Sequence, residues 1–309
     1  MKHAFLILTH HSPEHIYTQV KRMDHEGNMF VIHIDKKRQI DRADEYWQKL
    51  QAMPNVTFIK DRVNVQWGSI RIVDATLKLM YEALKYDVDY LHLLSGECLH
   101  VKSMAYFHNY FEKHAGSEYM SYLEMPEQNT LGWGSNRYDK YHFHEYFNPR
   151  SPLFKDKAIK FMNAVGRVAQ RNLKKIGIHR RYSKQHPKVY GGIAWWSLTK
   201  DCCNYIAKYL EEHPSYYPRF KFTQLPDEMF FHTIVLNSPF KDKVVNTSLR
   251  YTHFDIAVTR THATGIGIDN LDEIKGDDIL IARKFTDASK EMVAYLEQNV
   301  YKEDRPANG

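Results

Sequence analysis

Ala4-Phe5-Leu6-Ile7-Leu8-Thr9-His10-His11 is the stretch on which the fold turns: a short apolar run of strand length that ends abruptly in polar residues. A helical pattern follows it through Ile16, Val20 and Met23. Met29 to Ile34 is a second, β-branched run, and it ends in His33-Ile34-Asp35. Helical spacing around Tyr46 and Leu50 precedes a third strand at Val56-Thr57-Phe58-Ile59, and Ile72, Ala75, Leu79 and Ala83 repeat the helical period. Tyr90-Leu91-His92-Leu93-Leu94 is a fourth strand, closed by Ser95-Gly96. Strands alternating with amphipathic helices predict an α/β fold, a mostly parallel sheet with helices on both faces. Ligands of such sheets bind at the carboxyl ends of the strands. Three segments lie there: Thr9-His10-His11, His33-Ile34-Asp35 and Ser95-Gly96-Glu97.

Beyond this half the pattern changes. Residues 124–190 are polar and aromatic, with Gly132-Trp133-Gly134, and then strongly basic. Lys155, Lys157, Lys160, Arg167, Arg171, Lys174, Lys175, Arg180 and Arg181 stand among apolar residues at helical spacing, which reads as a basic amphipathic helix over 155–181. Such a helix either packs on the domain with a solvated charged face or docks on an anionic membrane. After Tyr190, Gly191 to Leu198 reads as a strand, and a helix follows through Cys203, Ile206 and Leu210. Leu225-Pro226-Asp227-Glu228 opens another helix, with Pro suited to a first turn and acids to the positive end of the helix dipole. At 309 residues the chain fits one large α/β domain or two small ones, and a single domain is expected. Its expected divisions are a nucleotide-binding half (1–120), a variable insertion (121–190) and a second half (191–300), with a frayed tail after Glu303.

A net charge of +6 fits an anionic partner such as a nucleotide sugar, a polyanionic glycan or a membrane surface. No nucleic-acid-binding module is recognisable, so nucleic acid is not expected as a partner. Tyrosine is abundant, at 21 residues, and its flat face with a hydroxyl suits sugar binding as well as an ordinary core. Cys98, Cys202 and Cys203 form neither a disulfide framework nor a C-x-x-C metal spacing, and reduced thiols point to the cytosol. The opening apolar run is too short for a signal peptide, and no later stretch approaches the roughly 18 apolar residues of a membrane span. The expected location is cytoplasmic, at most peripheral to a membrane.

Asp87-Val88-Asp89 has the letters of a metal-binding Asp-x-Asp. It immediately precedes the fourth strand, at the amino end of the sheet and away from the crevice. Glu97 at the other end is a lone carboxylate, which holds a divalent ion poorly. His142, His144 and Glu145 form a run without a defined ligand set. No metal or other cofactor is therefore expected. An anionic ligand must then meet Arg or Lys, and Arg250 in Ser248-Leu249-Arg250-Tyr251 and Lys284 in Ala282-Arg283-Lys284-Phe285 are the candidates.

Six segments appear in one order across nearly the whole chain. They are Phe5 to His10, Val31-Ile32-His33-Ile34-Asp35-Lys36, Trp67-Gly68-Ser69, Tyr90 to Glu97, Pro226-Asp227-Glu228 and Ala282 to Phe285. Together they resemble the core-2/I-branching β-1,6-N-acetylglucosaminyltransferase family, glycosyltransferase family 14, which also contains peptide xylosyltransferases. The resemblance implies a GT-A type fold that manages without a metal, and inverting transfer from a UDP-sugar to a hydroxyl of a glycan acceptor. UDP-GlcNAc is the first expectation for the donor; UDP-xylose, UDP-galactose and UDP-glucuronate stay open, as does a non-catalytic carbohydrate-binding relative on the same fold. The Glu of Pro-Asp-Glu implies Glu228 as general base, kept ionised by the helix dipole. The resemblance also implies Arg250 and Lys284 on the diphosphate, with Arg260 a rival to Arg250, and Asp35 on the uridine. His10, Trp67 and Gly96 join the donor side, and Glu124, Trp195 and Trp196 the acceptor side. On an alternating strand only one of the two tryptophans can face the cleft. Ser95-Gly96-Glu97 departs from the family form, its acid standing one position early. The family's animal members are Golgi-anchored and rich in disulfides; this chain shows neither feature, which implies a bacterial relative building a capsule, exopolysaccharide or lipid-linked glycan.

Overall fold

The computed structural model describes residues 1–125, 137–138, 141–145, 161, 165, 168, 172, 187–254 and 263–302. The basic residues of the 155–181 stretch lie outside the described residues. Phe161, Val165, Val168 and Asn172 are described there; they are helical, exposed, and spaced as one helix face.

The first half follows the predicted alternation. The strands are β1 (His3–Thr9), β2 (Asn28–Ile34), β3 (Val56–Phe58), β4 (Tyr90–Ser95), β5 (Leu99–His100), β6 (Glu118–Met120), β7 (Leu123–Glu124), β8 (Tyr190–Gly191), β9 (Trp196–Thr199), β10 (Val244–Val245), β11 (Arg250–Thr252) and β12 (Ile281–Arg283). Seven of them form the central sheet, in the order β10-β6-β9-β4-β1-β2-β3. Only β9 runs antiparallel to its neighbours. Side chains alternate across β1, so Ala4 and Leu6 enter one core while Phe5 and Ile7 enter the other. Burial on both faces explains why β1, β2 and β4 read as continuous apolar runs. Helices Pro13–Arg22, Arg71–Ala83 and Met104–Lys113 cover the sheet. Two of them start on serine caps: Ser12 accepts from His15 N and Ser103 from Tyr106 N.

From β1 the chain adds β2 and β3 on one side, then returns to place β4 on the other. The β1–β4 boundary is therefore the topological switch point, with Thr9 and Ser95 at its carboxyl edge. A three-stranded sheet, β11-β12-β5, abuts that edge over its own core of Leu99, Ile266, Phe285, Met292 and Leu296.

Two local expectations are corrected. The strand predicted over 191–198 is broken into β8 and β9, which belong to different sheets. Gly192 causes the break: its N–H donates to Glu228 O at 2.9 Å, and a Cβ there would lie 1.8 Å from Ser121 O. Pro226 opens not an α-helix but a one-turn 3₁₀ segment, Pro226–Glu228, before a short helix at Phe230–Val235. Leu225, at φ 51°, turns the chain sharply into that segment.

Glu118, on β6, is fully buried and accepts from Thr199 N at 2.7 Å and Thr199 Oγ1 at 2.5 Å. Burial pushes its pKa up to about 7. The folded state then holds a proton that the unfolded chain releases near pH 4.5, so this group's stabilisation is lost as pH rises towards and through 7. Glu118→Gln should remove that dependence: its melting temperature, relative to the native chain, should climb between pH 5.5 and 8. Parallel melting curves across that range would contradict the buried-acid assignment.

Candidate active site

At the switch point the ends of β1, β2 and β4 are tied by backbone bonds. Gly96 N donates to Leu8 O at 3.0 Å and Asp35 N to Thr9 O at 2.8 Å. Gly96 is required by crowding, since a Cβ would sit 2.3 Å from Thr9 Oγ1 and 2.8 Å from the His11 ring. His10, His11 and His15 stack in a row, with centroids 4.6 Å and 4.1 Å apart, and His15 Nε2 donates to Gly96 O at 2.6 Å. Burial, and then its two histidine neighbours, push His11 down to about 4, so it stands neutral at pH 7. Asp35 is buried; its Oδ1 accepts from Lys37 N at 2.9 Å and its Oδ2 lies 3.4 Å from Lys37 Nζ.

The small sheet delivers cations to this edge. Phe285 N bonds Glu97 O at 2.9 Å, which sets Lys284 Nζ 3.1 Å from Glu97 Oε2. Arg283 lies over the Trp195 ring, 4.6 Å from its centroid, with its Nε shielded from solvent and bonded to no described residue. Glu228 carries an ion pair with Arg137 and also feels the charge of Arg283. Burial nevertheless outweighs both cations, and the Glu228 pKa is raised above the usual carboxylate value. The expected helix-dipole control of Glu228 is thus corrected: the 3₁₀ turn is too short to act as a dipole, and burial against two guanidiniums sets the charge. Asp227 beside it is buried and also raised, first by burial and then by the Glu228 charge.

Arg250 takes a setting unlike the one implied for a diphosphate ligand. It is buried, and its guanidinium donates to Leu93 O at 3.2 Å, Trp196 O at 2.8 Å, Ser197 Oγ at 3.0 Å and also Ser248 O. Those bonds tie β4 and β9 of the large sheet to the segment entering β11. Its rival Arg260 lies outside the described residues. Of the acceptor-side residues, Trp195 and Trp196 are both buried in one core; Trp196 packs on Phe231, and Trp195 carries Arg283. Glu124 is exposed on β7, which pairs antiparallel with β8, and its carboxylate pairs with Lys188 just before β8. Trp67 stands 6.1 Å from His144, and Gly68 O accepts from Leu225 N at 3.1 Å, which joins this turn to the one bearing Glu228. His10 is exposed.

The remaining metal-like runs have other partners. Asp87 pairs with Lys2, Asp89 accepts from Lys2 N at 2.7 Å, and Glu145 pairs with Arg71 at 2.6 Å. Sequence reasoning missed Arg137 and Arg283. Arg283 was adjacent to the chosen Lys284; Arg137 sits in a stretch whose spacing carries no period.

At the switch point of a parallel sheet, cations and the half-buried carboxylate of Glu228 can offer charge to an anion and take up a proton beside it. The sequence profile of Core-2/I-branching enzymes matches residues 3–275, and the chain belongs to that family. Rat xylosyltransferase 2 is 22% identical over 269 residues, covering 82% of this chain and 26% of that protein. Mouse xylosyltransferase 1 is 29% identical over 110 residues, covering 31% of this chain and 12% of that protein. The chain spans about a quarter of the length of the first of these relatives. Among solved structures, the Mn/GDP form of core-mannan synthase A from Aspergillus fumigatus aligns with a TM-score of 0.36 at 9% identity, over 79% of this chain and 72% of that one. Among the described residues no helix is long and apolar enough to cross a membrane.

Arg250→Ala should lower the unfolding free energy by at least ~3 kcal/mol, since each orphaned buried acceptor costs about 1–3 kcal/mol. Chemical denaturation checks this. Native-like stability together with lost UDP affinity would instead return Arg250 to the ligand.

Proposed function

We propose that this chain is an inverting glycosyltransferase of GT-A type that moves a sugar from a UDP-sugar to a hydroxyl of a glycan acceptor. The observation that carries it is Glu228: a carboxylate raised by burial, between Arg137 and Arg283, on a turn bonded to Gly68 and Gly192. A base needs a pKa near its working pH, and burial moves Glu228 in that direction. In the reaction the acceptor oxygen attacks the anomeric carbon while Glu228 takes its proton. The bond from that carbon to the β-phosphate oxygen breaks with its electron pair, and UDP departs with the anomeric configuration inverted.

Arg283 and Lys284 receive the charge of the diphosphate in place of a metal ion, as preorganised donors do at a developing anion. Glu97 holds Lys284 until the more highly charged diphosphate displaces it. The Trp195 ring holds the Arg283 guanidinium over its face. Asp35, His10, Trp67 and Gly96 form the donor side and Glu124 and Trp195 the acceptor side of this reading. The names of the relatives favour UDP-xylose as a second donor candidate beside UDP-GlcNAc.

Glu228→Gln should cut transfer by about 10²–10⁴-fold, the usual worth of a general base. UDP affinity by calorimetry should stay within a few-fold; loss of both together would remove Glu228 from this role. Activity should persist in EDTA, and a strict Mn²⁺ requirement would overturn the cationic account. The base must be unprotonated, so kcat should fall as pH drops through the raised Glu228 pKa, with its acid limb above the ordinary carboxylate range. A limb at or below that range would contradict the burial argument.

A further inference from the structure

Phe161, Val165 and Val168 are the three most exposed large hydrophobic side chains among the described residues, at 70%, 50% and 47%. All three are helical, and their spacing of four and then three residues sets them on one face, which continues to Asn172. A single exposed hydrophobic is ordinary on a protein surface; three along one helix face form a patch that marks an interaction. We propose that this face docks on an anionic lipid surface, with the helix lying in the membrane interface. The contact goes beyond the transferase reading and uses none of its residues.

Burial decides between packing on the domain and docking elsewhere. A helix packed on its own domain hides its apolar stripe and leaves its charges in water. Here the apolar side chains are the ones left in water, so their cover comes from another surface.

Charge selects that surface. Residues 155–181 hold nine Lys and Arg against one acid, Asp156; that is +8 in a chain of net +6, so all the other residues together sum to −2. Lys160, Arg167 and Arg171 adjoin Phe161, Val168 and Asn172 in sequence. Consecutive Cα atoms lie only about 3.8 Å apart, so positive charge accompanies the apolar face. An anionic bilayer accepts this combination: apolar side chains enter the acyl boundary while Lys and Arg meet the headgroups. A second copy of the chain is a poor occupant, because it would bring two clusters of +8 together. A soluble polyanion would use the charge and leave Phe161 in water.

Co-sedimentation of the full chain with vesicles of phosphatidylcholine, alone or mixed with phosphatidylglycerol, tests this. Binding to the mixed vesicles should be at least about tenfold tighter and should weaken as salt rises, since each cation near an anionic surface is worth roughly a fivefold change in affinity. Phe161→Ser should weaken it about tenfold or more, through lost apolar burial, and Phe161→Trp should keep it. Phe161 is exposed, so both variants should melt with the native chain. Absence of binding to both vesicles, equal binding to both, or binding that Phe161→Ser leaves unchanged overturns the proposal. A melting temperature lowered by Phe161→Ser overturns it too, by placing the face against the protein itself. Without vesicle binding, a dimer in analytical ultracentrifugation that Phe161→Ser dissociates assigns the face to a second copy, and heparin binding assigns it to a soluble polyanion; either result overturns the lipid assignment.

Discussion

The buried guanidinium of Arg250 is the tie on which the site geometry depends. It joins carbonyls on β4 and β9 to Ser248, just before β11, and Ser197 Oγ extends the chain to His92 at 2.8 Å. Burying a guanidinium is costly, and burial pulls its pKa down to about 9. Several oriented acceptors offset that cost, and the consequence is a fixed placement of the small sheet against the large one. β12 pairs with both β11 and β5, so Arg283 and Lys284 are carried to the carboxyl edge of β4 along with it.

Charge at that edge is arranged by burial more than by proximity. Asp227 and Glu228 are both raised despite nearby guanidiniums, because lost hydration outweighs the attraction. Lys284 is held by Glu97, Arg283 by an aromatic face, and His11 is kept neutral. The result is two cations, Arg283 and Lys284, near a pair of carboxylates that burial moves towards protonation.

Much of the fold was legible in the sequence because β1, β2 and β4 are buried on both faces, and unbroken apolar runs are what double burial demands. The carboxyl ends that carry His10, Asp35 and Gly96 followed from where those runs end; the strand order that makes β1–β4 the switch point did not. The break at Gly192 was not legible, since it arises from a tertiary approach to Ser121 and His232 that no local pattern encodes. Glu228 and Lys284 were readable from short motifs. Arg250 was readable as special but not as buried, because mixed apolar surroundings fit a core cation and a ligand cation equally. Arg137 belongs to a stretch where neither period nor turn chemistry marks a position. Strand alternation did not separate the two tryptophans: Trp195 precedes β9, and both are buried in one core.

The central claim is that side-chain cations, positioned by the Arg250 tie, face the diphosphate while Glu228 faces the sugar. A crystal structure of the chain with bound UDP tests it most directly. The account predicts phosphate oxygens within hydrogen-bonding distance of Lys284 and Arg283, Lys284 released from Glu97, and Arg250 still bonded to Leu93 and Trp196. A diphosphate bound away from β12, or one bridged to the protein by a metal ion, would contradict it.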